Sequence, residues 1–282
     1  MEDKIETIGH GSIIQHGKFN DRIYLMKLAG KDCPEVLERL RSLAREHHYT
    51  KIFAKIPSSS APFFFSDGYV MEAFVPGFYR RREAACFVSK YLDSDRLMEV
   101  EHGRLDELGT LLTHTMKSHS REPVQLKPAK KLKIRALDAS HVKEIATIYR
   151  EVFKSYPFPI HHPGYILKTM QENVSYFGIE KKGNLIALAS AEVDTPESNA
   201  EMTDFATLPD YRGNNLATLL LSAMEKKMKK AGIKTLFTIA RLNSPAMNKT
   251  FLKLQYSYSG TLVKNTNIAG NIESMNVYYK HI

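Results

Sequence analysis

The chain has 282 residues, 43% of them hydrophobic and 25% charged, which is an ordinary globular composition with room for two modest domains. No apolar run approaches the roughly 20 residues of a membrane helix, and Met1-Glu2-Asp3-Lys4 has no apolar signal core. Two cysteines, Cys33 and Cys86, make neither a disulfide framework nor a zinc site, so a cytoplasmic protein with free thiols and no metal is expected. The net charge of +9 is dispersed. Its tightest group, Lys226, Lys227, Lys229 and Lys230, reads as the outer face and last turn of a helix, so neither nucleic acid nor membrane is expected as a partner.

In chain order, residues 34–46 carry a helical apolar stripe (Val36, Leu37, Leu40, Leu43, Ala44), followed by a strand over 51–56. An aromatic stretch at 63–69 and a strand pair through 73–75 and 84–88 come next. Residues 96–130 read as a charged helical connector and linker. Leu132, Ile134 and Ala136 alternate with charges as in a half-buried strand. Asp138 or Ser140 can then cap a helix presenting Val142, Ile145, Tyr149 and Val152. After the Pro157 and Pro159 breaks and His161-His162 in a loop, a second helix is predicted over 165–172, then a hairpin of 174–180 and 185–193 turning at Lys181-Lys182-Gly183-Asn184. A strand over 202–208, a helix over 216–230, a strand over 235–240, a helix over 246–254 and strands near 257–263 and 273–281 complete the pattern.

The most informative stretch is Arg212-Gly213-Asn214-Asn215-Leu216-Ala217, between a strand and an apolar-striped helix. A strand end, a glycine turn and a helix N-terminus expose unpaired N–H groups beside the positive end of a helix dipole, which suits a phosphate or pyrophosphate. The spacing Arg-Gly-x-x-x-Ala resembles the acetyl-CoA pyrophosphate loop of the GNAT N-acetyltransferases. That family usually has a second glycine where this chain has Asn215, a residue that tolerates positive φ better than most. The resemblance implies an α/β (α+β) GNAT fold, a mixed central sheet flanked by helices, over 131–282. Helix, strand, short helix, aromatic corner and strand pair recur in the same order within 1–95, which reads as a smaller, degenerate half of that fold. Its counterpart of the phosphate loop, Leu28-Ala29-Gly30-Lys31-Asp32, lacks the pattern, so one acetyl-CoA site is expected.

Acetyl transfer to an alkyl amine needs a proton acceptor, because an amine with a pKa near 10.4 is about one part in a thousand neutral at pH 7. Glu201 and Asp204 are the candidate catalytic carboxylates. A regular strand sends them to opposite faces, and a bulge would change that. By resemblance, the backbone of Phe205, Ala206 and Thr207 would pair with the pantetheine arm, one N–H polarising the thioester carbonyl. Asn243 or Asn248 would stand near the pantetheine amide or the adenine side. Phe251 occupies the place of the tyrosine that protonates the leaving thiolate in many members, with Tyr256 and Tyr258 as nearby substitutes. Arg241, at the end of its strand, could hold a substrate carboxylate, and Glu192 could hold an ammonium.

Over its whole length the chain resembles the beta-lysine N-acetyltransferases. The resemblance rests on the degenerate N-terminal half, the string Ala200-Glu201-Met202-Thr203-Asp204-Phe205-Ala206-Thr207-Leu208-Pro209, and Met247-Asn248-Lys249 followed by Phe251. It implies N6-acetylation of (3S)-3,6-diaminohexanoate, made from L-lysine by an aminomutase, giving a compatible solute used in osmoprotection. Acetylation of a protein lysine or a polyamine, and acyl-CoA binding without turnover, are the alternatives. The expected partner is a small amine, and a homodimer is left open.

Overall fold

A computed structural model describes residues 3–98, 102–118 and 132–282. The expected connector over 96–130 therefore lies partly outside the described residues. Its described part is α3 (His102–Ser118), whose Leu111 and Leu112 pack on the C-terminal core.

The chain opens with three strands, β1 (Lys4–Ile8), β2 (Ser12–Gly17) and β3 (Arg22–Lys27). The sequence reading had not placed them, because polar Gln15, His16 and Arg22 interrupt the apolar pattern while being buried themselves. Then follow α1 (Val36–Glu46), β4 (Lys51–Pro57), α2 (Ala61–Ser66), β5 (Val70–Tyr79) and β6 (Glu83–Tyr91). The predicted stripe on α1 is buried, and it covers one face of β3 and β4.

After α3 come β7 (Leu132–Leu137), α4 (Val142–Val152), α5 (Pro163–Glu172), β8 (Val174–Lys181) and β9 (Asn184–Asp194). The Asp138 side chain accepts from the Ser140 N–H and so stops the chain in position to start α4. Lys182 and Gly183 both have positive φ, the two-residue geometry that matches the twist of a hairpin. The last elements are β10 (Asn199–Thr207), α6 (Leu216–Lys230), β11 (Thr235–Arg241), α7 (Pro245–Lys253), β12 (Ser257–Ile268) and β13 (Asn271–His281). The structure starts β10 three residues earlier than the sequence suggested and extends β12 to Ile268.

All the described strands form one sheet, in the order β1-β2-β3-β4-β6-β5-β12-β13-β11-β10-β9-β8-β7. The run β1-β2-β3-β4-β6-β5 has the order and pairing senses of β8-β9-β10-β11-β13-β12, with one parallel pair in each (β3 with β4, β10 with β11). The two runs meet where β12 lies antiparallel to β5, at Gly260 opposite Ala73.

That junction is held by side chains as much as by the ladder. Glu72 accepts from the Val263 N–H at 2.7 Å, Lys51 Nζ donates to the Val263 carbonyl at 2.7 Å, and Ser259 Oγ bonds both the N–H and the carbonyl of Phe74. A shared apolar layer (Phe53, Phe78, Phe87, Phe237, Leu262, Val277) lies between the halves.

A Cβ at Gly260 would sit 1.9 Å from the Glu72 carbonyl oxygen and 3.0 Å from Ala73, so only glycine fits there. Gly260→Ala is expected to destabilise by about 1–3 kcal/mol through forced separation of β5 and β12. A thermal melt that matches the wild type would show that the junction adjusts freely.

Candidate active site

β10 and β11 are bonded only from Asn199–Glu201 to Thr235–Phe237. Beyond Glu201 they diverge, which leaves the β11-facing amides and carbonyls of β10 without a strand partner. The same strand carries a register shift between Thr203 and Ala206 against β9, with Asp204 at φ 55°. The bulge turns Asp204 onto the side of Glu201, and both line one cavity of about 350 Å³. The regular-strand expectation of opposite faces is thereby corrected.

From β10 the chain runs into the exposed loop 212–215 and then α6. Gly213 (φ 79°) and Asn215 (φ 56°) are both left-handed, so Asn215 fills the place of a glycine. Asn214 Nδ2 braces the turn by donating to the carbonyls of Tyr211 and Arg212, at 3.0 and 3.2 Å. Arg212 Nε donates back to the Thr207 carbonyl at 3.3 Å. Leu216 is buried in the core, anchoring the helix start, and Ala217 follows it half-buried. The first-turn amides of α6, which have no intrahelical acceptor, thus stand beside the open end of β10.

The cavity wall carries three acidic side chains. Glu192 and Glu201 are cross-strand partners on β9 and β10, so their side chains emerge together. Burial pushes both carboxyls well above the usual range. For Glu201 the neighbouring Glu192 adds to the rise, for Glu192 Asp204 does, and Lys55 from β4 opposes it in both. Burial also raises Asp204, against hydrogen bonds that favour its charged form. Ser190 and Tyr156 hydroxyls donate to its two oxygens, and Thr203 Oγ1 lies 3.4 Å from one of them. Asp204 is therefore firmly anchored by hydroxyl donors, whereas Glu192 and Glu201 have the strongly raised proton affinity.

Glu192, Glu201 and Lys55 also line a second, adjoining space of about 290 Å³, together with Asp194 and Glu197. The opposite wall of the larger cavity comes from β3 and β4, through Arg22, Tyr24, Phe53 and Lys55. Sequence reasoning missed these residues. The alternation Arg22-Ile23-Tyr24-Leu25-Met26, with Ile23 and Leu25 in the α1 core, is the signal that identifies them.

Two expected binding residues are otherwise engaged. Arg241 reaches the cavity, but Glu273 already holds it bidentately, at 2.9 and 2.6 Å, and neutralises it. Asn248 is buried, its amide donating to the carbonyls of Arg241, Leu242 and Ser244 while its oxygen accepts from Asn276 and Tyr278. It fastens α7 to the end of β11 and is not free for a cofactor. Asn243 differs: its side-chain oxygen is buried without a donor, which fits a ligand amide beside α7. Phe251 lines the cavity, edge-on to Phe205, whereas Tyr256 and Tyr258 do not line it. His161 and His162 also stay outside it.

Among the described residues, no group of three His, Cys, Asp or Glu could hold a metal ion, and no helix is long and apolar enough to cross a membrane. Splayed parallel strands, a bulged strand with open amides and a glycine turn into a helix define the acyl-CoA-dependent N-acyltransferase class.

Comparison with known proteins agrees. Residues 143–254 match the model of the acetyltransferase (GNAT) family. The chain is 41% identical to a beta-lysine N(6)-acetyltransferase of Methanococcus maripaludis, over 99% of both chains. It is 30% identical to one of Methanosarcina mazei, covering 86% of this chain and 96% of that one. The N-acetyltransferase YodP of Bacillus subtilis is 28% identical over the full length of both. The chain belongs to the GNAT family of acetyltransferases.

The acid cluster has a consequence for stability. An unfolded glutamate titrates near 4.3. Glu192 and Glu201 titrate higher when folded, so between those values the folded state binds more protons and stability falls as pH rises. Glu192→Gln removes part of this penalty. Its melting temperature, relative to wild type, is expected to gain roughly 2–4 °C between acid and mildly alkaline buffer. A difference independent of pH would show that the pair does not titrate abnormally.

Proposed function

We propose that this chain transfers an acetyl group from acetyl-CoA to the N6 amine of beta-lysine. The single observation that carries the substrate is the full-length likeness to the Methanococcus maripaludis enzyme. What supports the chemistry is the cavity, where buried acids stand beside an open strand and the loop to α6.

Acetyl-CoA supplies the activated acyl carbon, and its thiol is acidic enough to depart as thiolate without a tyrosine at Phe251. The amides of Phe205, Ala206 and Thr207 along β10, the turn Arg212 to Asn215 with the first residues of α6, and the open oxygen of Asn243 are the groups that would hold it. The acceptor enters as an ammonium. Glu201, with its affinity for protons raised by burial and by Glu192, takes the proton and leaves a neutral nitrogen lone pair to attack. Glu192 shares that proton and attracts the substrate's positive charge. Asp204, fixed by Tyr156 and Ser190, sets the bulge and adds negative potential. We further propose that 131–282 is the catalytic unit, 96–130 the connector, and 1–95 a degenerate half of the same fold that closes the acceptor side.

Incubation with acetyl-CoA and a panel of beta-lysine, lysine, polyamines and a histone peptide, following thiol release, tests the reading. Release is expected to be fastest with beta-lysine. Tight coenzyme binding without release for any amine would leave a regulator instead, and preference for the peptide would leave a protein acetyltransferase. Glu201→Gln is expected to lower kcat/KM about 100-fold and to flatten the acidic limb of its pH profile. Gly213→Ala meets no neighbour within 4 Å, so only its left-handed φ is disturbed. It should raise KM for acetyl-CoA roughly tenfold, with little change in kcat.

A further inference from the structure

Four cationic side chains line the larger cavity among the described residues: Arg22, Lys27, Lys55 and Arg241. Arg241 is neutralised by Glu273, Lys55 acts on Glu192 and Glu201, and Lys27 is exposed. Arg22 is of another kind. It is 3% exposed and has no carboxylate within ion-pair distance among the described residues. Its Nη1 donates to the Asn265 carbonyl and, at 3.2 Å, to Thr266 Oγ1, while its Nε–H is buried without an acceptor. The guanidinium lies over the rings of Tyr24 and Phe53, 5.4 and 5.6 Å from their centroids.

Burial lowers the Arg22 pKa to about 10, helped by the positive charge of Arg96, so the group remains a cation at neutral pH. A buried cation with no carboxylate in contact and an unused donor is costly unless something else compensates it. Asn265, in the same cavity, shows the complementary lack: its side-chain oxygen is buried without a donor. An unused donor and an unused acceptor therefore sit on two residues already bonded to each other. The charged groups that act most strongly on Arg22 are Arg96, Asp3 and Glu72, while Tyr24, which packs under it, also feels Glu201 and Glu192. The cavity thus carries its acids on β9 and β10 and this cation on β3.

We propose that Arg22 and Asn265 form the subsite for the head of the acceptor, Arg22 binding its carboxylate and Asn265 Oδ1 accepting from the adjacent ammonium. The proposal rests on the beta-lysine reading, since that molecule carries both groups at one end and the reacting amine at the other. Arg241, the residue expected from sequence, is replaced in this role by a side chain of the N-terminal half. The N-terminal half then contributes to acceptor selection through Arg22, while 131–282 supplies Asn265 and holds the acyl donor.

The test compares beta-lysine with 1,4-diaminopentane, the same skeleton without the carboxylate, on wild type, Arg22→Gln and Arg22→Lys. The ratio of kcat/KM for the two amines should favour beta-lysine in the wild type. In Arg22→Gln it should fall roughly 10- to 100-fold, mainly through KM, with partial recovery in Arg22→Lys. Equal losses on both amines would mean that Arg22 only braces β12, and the assignment falls. If Arg22→Gln does not fold, Arg22→Lys decides: a lowered ratio supports the subsite and an unchanged ratio overturns it. A wild type that ignores beta-lysine but acetylates other amines sinks the substrate reading itself, an outcome distinct from an unaltered ratio.

Discussion

A β-sheet edge leaves a row of amides and carbonyls that must be paired or covered. Here the edge strand of one half, β12, is covered by the edge strand of the other, β5, and the sheet continues without a break. The site depends on this union. β3 and β4 are held at a fixed distance from β10 and β11, so Tyr24, Phe53 and Lys55 face Glu192 and Glu201 across one cavity. The buried pair Lys51–Glu72 bonds β12 through Val263, so its charges also tie the two halves together.

Closure by the N-terminal half gives the acids their unusual character. Carboxylates on an open strand would be hydrated and weakly basic. Aromatic rings opposite them remove water, and each carboxylate raises the proton affinity of the next. Folding is weakened locally in exchange for a group able to accept a proton near neutrality, the usual trade between stability and activity. Lys55 limits the effect on Glu192 and Glu201, and the hydroxyls on Asp204 oppose the rise that burial imposes on the third acid.

Much of the C-terminal architecture was legible because its signals are local. The stripe of α6, the Lys182-Gly183 turn and the Arg212–Ala217 loop each depend on neighbours in sequence. The family was legible from that loop together with the string through Asp204. What stayed hidden depends on contacts distant in sequence. β1 to β3 look too polar because Arg22 and Gln15 find their partners only in the other half, and His16 pairs with Glu6 and Tyr49 only once the strands and α1 are assembled. Arg241 looked available because its partner Glu273 lies two strands later in the chain, on β13. Asn248 suited a ligand by position, yet the space beneath α7 requires its amide to close three carbonyls. The bulge at Asp204 could be named as an alternative but not chosen, since strand composition does not fix register.

The turn ahead of α6 shows one more property. Asn214 already ties two carbonyls of the turn, and Gly213 and Asn215 already hold the backbone in the shape that presents the helix amides. For the acyl carrier proposed to bind there, such a preformed turn would leave little chain entropy to be lost on docking. Docking on this exposed rim would then need no closure of a floppy segment over the carrier.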